Sequence, residues 1–162
     1  MNPTEITKLE FLRHTLATLA YRAGKVLRGA PTGFSTLRIA STSRTPGEIL
    51  AHLCDLLDWT VNLCEGQHVW KDSRPQEWPE EVDRFFHALA RLDERLASGR
   101  QLRSPAEGLL QGPLADALTH VGQIALLRRV AGMPIRGENY LKADICAGRV
   151  GPEQSSPQVE FD

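Results

Sequence analysis

Residues 45–65 read TPGEILAHLCDLLDWTVNLCE, and this stretch decides the fold class. Thr45 and Glu48 have the spacing of a capping box, in which each side chain accepts a hydrogen bond from the backbone N–H of the other residue. Pro46 stands at the first helical position, where its missing N–H costs nothing. The stretch therefore predicts an amphipathic helix from Thr45 to about Glu65. Its apolar face comprises Ile49, Leu50, Leu53, Leu56, Leu57, Thr60 and Leu63.

Three further segments repeat apolar residues at steps of three and four, the period of one helix face. They span about residues 4–28, about 79–99 and about 113–132. Pro79 and Pro113 are placed at helix starts for the same reason as Pro46. No segment shows a useful length of the alternation expected of a half-buried strand. The sequence therefore predicts an all-α protein, a four-helix bundle with long connecting loops.

Glycine and proline interrupt the sequence after the fourth segment too often for another long helix. We expect this part to pack partly on the bundle through Tyr140, Leu141 and Ile145, and then to fray as an irregular C-terminal tail. The predicted organisation is one bundle domain over residues 1–148, followed by a polar tail over residues 149–162.

Composition excludes several classes of function. The 162 residues include 19 basic and 20 acidic side chains, a balance that argues against nucleic-acid binding, which depends on clustered Lys and Arg. No apolar run approaches the ~20 residues of a membrane span, and no signal peptide is recognised. Cys54, Cys64 and Cys146 form no CxxC motif, which favours reduced thiols in a cytoplasmic protein. We therefore expect neither a nucleic-acid nor a membrane partner.

Two of the five histidines lie at the borders of apolar stripes, His52 on the second helix and His120 on the fourth. Asp116 precedes His120 by one turn, a spacing that makes the two side chains neighbours. If the two helices pack side by side, all three residues converge and can bind Zn, Ni, Fe or Mn. Gln123, one turn after His120, is placed to orient a ligand or a bound water. The alternative is that these are partly exposed residues with water or backbone partners.

The other polar residues have mainly structural interpretations. Glu48 belongs to the capping box, although it also lies one turn before His52, as an extra ligand or general base would. Asp55 is interpreted as a solvated residue of the helix face. Arg128 falls where an apolar residue is expected, which indicates a buried ion pair or a subunit contact. Residues interpreted as solvated surface are His14, His68 and His87, and those interpreted as packing or pocket lining are Trp59 and Trp70.

The segments EILAHLCDLLDW and DALTHVGQIALLRR together resemble the DinB/YfiT-like family of metalloenzymes, over about residues 4–133. The resemblance implies a four-helix bundle that holds Ni or Zn through one histidine on the second helix and two on the fourth. His120 and Gln123 match the end of the family's fourth-helix motif, H-x-x-x-H-x-x-Q. Asp116 stands where the family has the first histidine of that motif. The implied ligands are therefore His52, Asp116 and His120, with Asp116 binding directly, through water or not at all, and the carboxylate favours Mn or Fe(II).

Two functions are expected, the first from this resemblance and the second from the departure at Asp116. The first is a divalent-metal-dependent transferase or hydrolase, because relatives of this kind include thiol-dependent transferases and isomerases that use small bacterial thiols. Its substrate would be a small-molecule thiol or another small molecule, and no further catalytic residue is assigned. The second is a non-catalytic binding or dimerisation protein with a vestigial metal site. The resemblance also implies a homodimer, for which Leu126 and Val130 are outward-facing candidates on the fourth helix.

Overall fold

Four helical rods dominate the computed structural model, which describes residues 3–161. The helices are α1 (Pro3–Leu27), α2 (Pro46–Cys64), α3 (Trp78–Ala97), α4 (Ala106–Leu109) and α5 (Ala115–Val130). A π-helical turn, Leu110–Leu114, joins α4 to α5 without a break, so these three pieces form the fourth rod. The prediction of an all-α four-helix fold is confirmed.

Each long helix packs against two neighbours. α1 contacts α3 and α5, and α2 contacts the same two helices, so α1 and α2 lie diagonally across the bundle. Leucines from all four rods fill the centre, among them Leu16, Leu53, Leu89 and Leu109, each at most 1% exposed. The packing of α2 beside α5 is the arrangement on which the convergence of the predicted ligands depends.

The fourth rod begins earlier than the sequence pattern predicts. Its first helical residue is Ala106, and Pro113 lies inside the π-helical turn instead of at a helix start. A proline removes one backbone hydrogen bond and crowds the preceding turn. A wider π-helical turn is one way for a helix to absorb such an interruption. The prediction of a loop up to Gly112 is therefore wrong, because a proline does not by itself tell a helix start from a helix bulge.

The region after α5 is mostly irregular, as predicted, and it folds back onto α1. Strand β1 (Gly137–Glu138) pairs antiparallel with β2 (Glu160–Phe161). A short 3₁₀ turn, Tyr140–Lys142, lies between them in the sequence. The expectation that the tail frays is wrong for its described end. Leu141 is 90% exposed and does not provide the predicted packing contact.

A buried carboxylate fixes this C-terminal region to the bundle. Glu138 accepts hydrogen bonds from the Tyr21 hydroxyl at 2.6 Å and from Lys25 Nζ at 2.8 Å. Lys25 also contacts Glu160 at 2.9 Å, which joins the second strand to the same cluster. The side chain of Glu138 is fully buried. Tyr21, Lys25 and Glu138 therefore connect α1 to both short strands.

Arg128 joins the ends of α1 and α5. Its guanidinium donates to the backbone carbonyl oxygens of Val26 at 3.2 Å, Arg28 at 2.9 Å and Met133 at 3.1 Å. Among the described residues it has no carboxylate partner, so of its two interpretations the buried ion pair is not observed. Carbonyls at the end of α1 have no partner within the helix, and a buried arginine satisfies them.

None of the helices in residues 3–161 combines the length and the apolar character that a membrane span requires.

Candidate metal centre

His52 lies near the start of α2, and the capping box fixes where that helix begins. Thr45 Oγ1 accepts a hydrogen bond from the Glu48 N–H at 3.2 Å, and Glu48 Oε2 accepts one from the Thr45 N–H at 2.7 Å. Arg38 also pairs with Glu48, at 2.8 Å. The Thr45 N–H is the main cause of a lowered pKa at Glu48, and Arg38 lowers it further. Glu48 is therefore engaged at the helix start, in agreement with its capping interpretation.

The structure brings His52, Asp116 and His120 together. Asp116 Oδ2 lies 3.6 Å from His52 Nε2 and 3.5 Å from His120 Nε2. No two of the three donor atoms are more than 4.8 Å apart. The two imidazole rings are perpendicular, with centroids 4.8 Å apart. The convergence that the sequence predicts for adjacent second and fourth helices is present.

These donor atoms suit a divalent ion of the first transition row. Bonds of about 2.1 Å to a tetrahedral ion separate neighbouring ligand atoms by about 3.4 Å. The two separations that involve Asp116, 3.5 and 3.6 Å, are close to this value. Imidazole nitrogen and carboxylate oxygen are ligands for Zn, Ni, Fe and Mn. The group can therefore hold a metal ion, and three protein ligands leave a coordination position for a small molecule.

Solvent reaches the group mainly past Asp116. The side chains of His52 and His120 are 17% and 12% exposed, whereas that of Asp116 is 47% exposed. The imidazoles are held by the packing of α2 against α5, while the carboxylate lies on the open side. A small molecule that reaches the group from solvent therefore approaches along the carboxylate.

Gln123 orients the His120 ring. His120 Nδ1 lies 2.7 Å from Gln123 Oε1. An amide oxygen only accepts hydrogen bonds, so the Nδ1 atom carries the proton and donates. The neutral ring then has its lone pair on Nε2, the atom that faces Asp116. This contact is the one expected of a residue that fixes the tautomer of a metal ligand.

The environment of His52 favours its neutral form. Burial is the main cause of its lowered pKa, and electrostatic interactions with Arg44 and His120 act in the same direction. Asp116 opposes them, through a hydrogen bond and through its negative charge. A metal ion binds only the neutral imidazole, so a lowered pKa reduces competition from protons.

Trp70 covers one side of His52. The two rings approach with centroids 5.5 Å apart, and Trp70 also meets Trp59 edge to face, at 5.7 Å. Trp70 lies in the connection between α2 and α3 and is 43% exposed. Trp70 is interpreted from the sequence either as a packing residue or as pocket lining, and the structure shows packing. The residue it packs against is His52, a candidate metal ligand. The indole therefore reduces the access of water to that side of the imidazole.

Asp55 anchors the connection that carries Trp70, and its interpretation as a solvated residue is wrong. It is 2% exposed, and its carboxylate accepts hydrogen bonds from the Ser73 N–H at 2.8 Å and the Ser73 hydroxyl at 2.7 Å. Arg84 on α3 donates to the same carboxylate. The sequence contains no local signal for this cluster, because its members are 18 and 29 residues from Asp55.

The remaining sequence interpretations concern single residues. Cys54 and Cys64 are buried free thiols, and burial is the main cause of their raised pKa values. The histidines interpreted as solvated surface, His14, His68 and His87, are all exposed. Leu126 and Val130 are 58% and 54% exposed, so they do face away from the core.

Comparison with family models, curated proteins and solved structures finds no match to this chain.

Proposed function

We propose that this chain is a divalent-metal-dependent enzyme whose ion is held by His52, Asp116 and His120. The observation that carries the proposal is the approach of three donor atoms from two helices to within 4.8 Å of one another. A bound ion supplies Lewis acidity, which lowers the pKa of a thiol or of a water molecule at its open position. The proposed reactions are the transfer of a small-molecule thiol and hydrolysis.

The protein's own residues have separate roles in this proposal. His52, kept neutral by burial, and His120, oriented by Gln123, provide lone pairs on the protected side of the site. Asp116 provides the only negative charge in the ligand set. Trp70 limits the access of water to His52. Substrate enters on the exposed side, past Asp116.

We also propose that the chain is a divergent DinB/YfiT-like protein. The four rods, His52 on the second rod, and His120 with Gln123 on the fourth support this assignment. Asp116 in place of a histidine makes the donor set harder and shifts its preference toward Mn²⁺ or Fe²⁺. A cytoplasmic location belongs to the same proposal, and the free thiols of the described cysteines support it.

Metal titration tests the site directly. Metal-free protein is titrated with Zn²⁺, Ni²⁺ and Mn²⁺, and we expect one equivalent of at least one ion to bind. His52→Ala and His120→Ala each weaken binding by more than about 100-fold, which exceeds the effect of losing a residue that only orients a ligand. Loaded protein is then assayed for conjugation of glutathione to an aryl halide and for hydrolysis of a nitrophenyl ester.

His87→Ala is the matched control. His87 follows Asp83 at the same spacing that separates His120 from Asp116, and both Asp83 and His87 are exposed on α3. Within residues 3–161 they belong to no group of three possible metal ligands. We expect this variant to bind metal like the wild type. Stoichiometric binding that survives both His52→Ala and His120→Ala would overturn the assignment of the ligands.

A non-catalytic binding or dimerisation protein is the second candidate function. Apolar side chains at the end of the fourth rod favour it, because Leu126, Val130 and Met133 are 58%, 54% and 43% exposed. Exposed apolar side chains that cluster on a protein surface often mark an interface. Sedimentation distinguishes the cases. We expect a homodimer that Leu126→Glu and Val130→Glu convert to a monomer, and a monomeric wild type would contradict this candidate.

A further inference from the structure

A cavity of about 380 Å³ adjoins the candidate metal centre. His120 and Gln123 line one part of it. The cavity falls within the size range of small-molecule sites, which is about 300–1,000 Å³. His120 is therefore shared between the cavity and the candidate metal centre.

The cavity wall is mostly apolar. Ile49 of α2 and Leu127 of α5 are buried residues on its inner side. Ile39 and Leu126, on the outer side, are 50% and 58% exposed. Large aliphatic side chains on both sides favour a hydrocarbon chain or ring, because binding it removes their surface from water.

Arg44 gives the cavity a positive charge. It lines the same space, is exposed, and is paired with no carboxylate in the described part of the chain. Arg38, on the same connection between α1 and α2, is already paired with Glu48 at 2.8 Å. Arg44 therefore has its donors available, and a guanidinium binds a carboxylate through two parallel hydrogen bonds.

We propose that this cavity binds a small organic anion with an apolar body, namely an alkyl or aryl carboxylate. The carboxylate binds Arg44, and the hydrocarbon lies against Ile39, Leu126 and Leu127. This inference goes beyond the proposed function, because it assigns a ligand class to a cavity that contains only His120 of the three proposed metal ligands. The cavity and Arg44 are present independently of a metal ion, so binding is testable without one.

Calorimetric titration of the metal-free protein with octanoate tests the proposal. We expect saturable binding that weakens as salt is added, since an exposed ion pair is screened. Arg44→Gln weakens octanoate binding at least about fivefold. Leu126→Gln also weakens it, because it removes apolar surface that contacts the hydrocarbon chain. Octanol and octylamine, which keep the hydrocarbon chain and lack the negative charge, bind more weakly than octanoate.

Arg129→Gln is the matched control, because Arg129 is an exposed arginine of α5 outside the cavity lining. It should bind octanoate like the wild type. Equal octanoate affinity in the wild type and Arg44→Gln, or no binding to the wild type, overturns the inference. A parallel titration with Zn²⁺ separates the two proposals. Failure of metal binding with octanoate binding intact overturns the proposed function alone, and the reverse result overturns only the carboxylate site.

Discussion

Replacing Gln123 with leucine should weaken metal binding while leaving every proposed ligand in place. Its Oε1 atom accepts the His120 Nδ1 proton at 2.7 Å, and this hydrogen bond keeps the Nε2 lone pair directed at Asp116. Loss of such an orienting contact costs 10- to 100-fold in metal affinity, or about 1.4–2.7 kcal/mol. Gln123 is exposed, so water replaces part of the lost contact. We therefore expect the lower end of this range, about tenfold.

The measurement is a competition titration with Zn²⁺ or Ni²⁺ against a chromophoric chelator at constant pH. Gln123→Glu should instead raise the metal affinity, because a carboxylate accepts the same proton in a stronger, charge-assisted hydrogen bond. Gln111→Leu, at an exposed glutamine of the same rod, controls for the change in side-chain character. Unchanged affinity in Gln123→Leu would refute the orienting role of Gln123. Equal effects of the leucine and glutamate substitutions would refute the hydrogen-bond explanation.

Three further outcomes test other parts of the structure. Cu²⁺ bound at the site should quench the fluorescence of Trp70, whose ring lies 5.5 Å from that of His52. Trp70→Phe should remove most of this quenching. Equal quenching in that variant would place the ion elsewhere. Glu138→Ala removes the buried acceptor of Tyr21 and Lys25, although Glu160 still pairs with Lys25, and it should lower the free energy of unfolding in urea by about 2 kcal/mol. A loss below about 0.5 kcal/mol would show that Glu138 does not anchor the tail. Metal-free wild type should gain stability as the pH rises toward the ordinary His52 pKa of 6.5, because burial lowers that pKa and the unfolded chain binds more protons in this window. His52→Gln should show a smaller gain in pH-dependent denaturation curves, and an identical gain would contradict the burial argument.

Local sequence was sufficient for the parts of the fold that local interactions determine. The capping box at Thr45 and Glu48 fixed the start of α2 because both partners lie within one turn. The same helical period placed His52 on the border that faces α5. Asp116 and His120 share one helix, so their proximity followed from their spacing alone. Only the packing of α2 beside α5 had to be assumed, and the structure contains it.

Burial and contacts that depend on residues distant in the sequence were not predictable from local patterns. The helical period places Asp55 on the face of α2 expected to be solvated. Only its contacts with Ser73 and Arg84 make its burial favourable. Those contacts also hold the connection between α2 and α3, which places Trp70 beside His52. No periodic pattern in the sequence indicates this placement. The prediction that Pro113 begins the fourth helix is wrong for a different reason, because proline is compatible both with a helix start and with an interrupted helix.

The charges around the candidate metal centre connect the proposed function to the proposed ligand class. Two neutral imidazoles and the Asp116 carboxylate leave a divalent ion with a net positive charge, and Arg44 adds another positive charge beside the cavity. Both charges favour the binding of an anion in this region. The two attractions have different origins, however. Octanoate bound by metal-free protein measures the contribution of Arg44, and any gain in affinity on loading with Zn²⁺ measures the contribution of the ion.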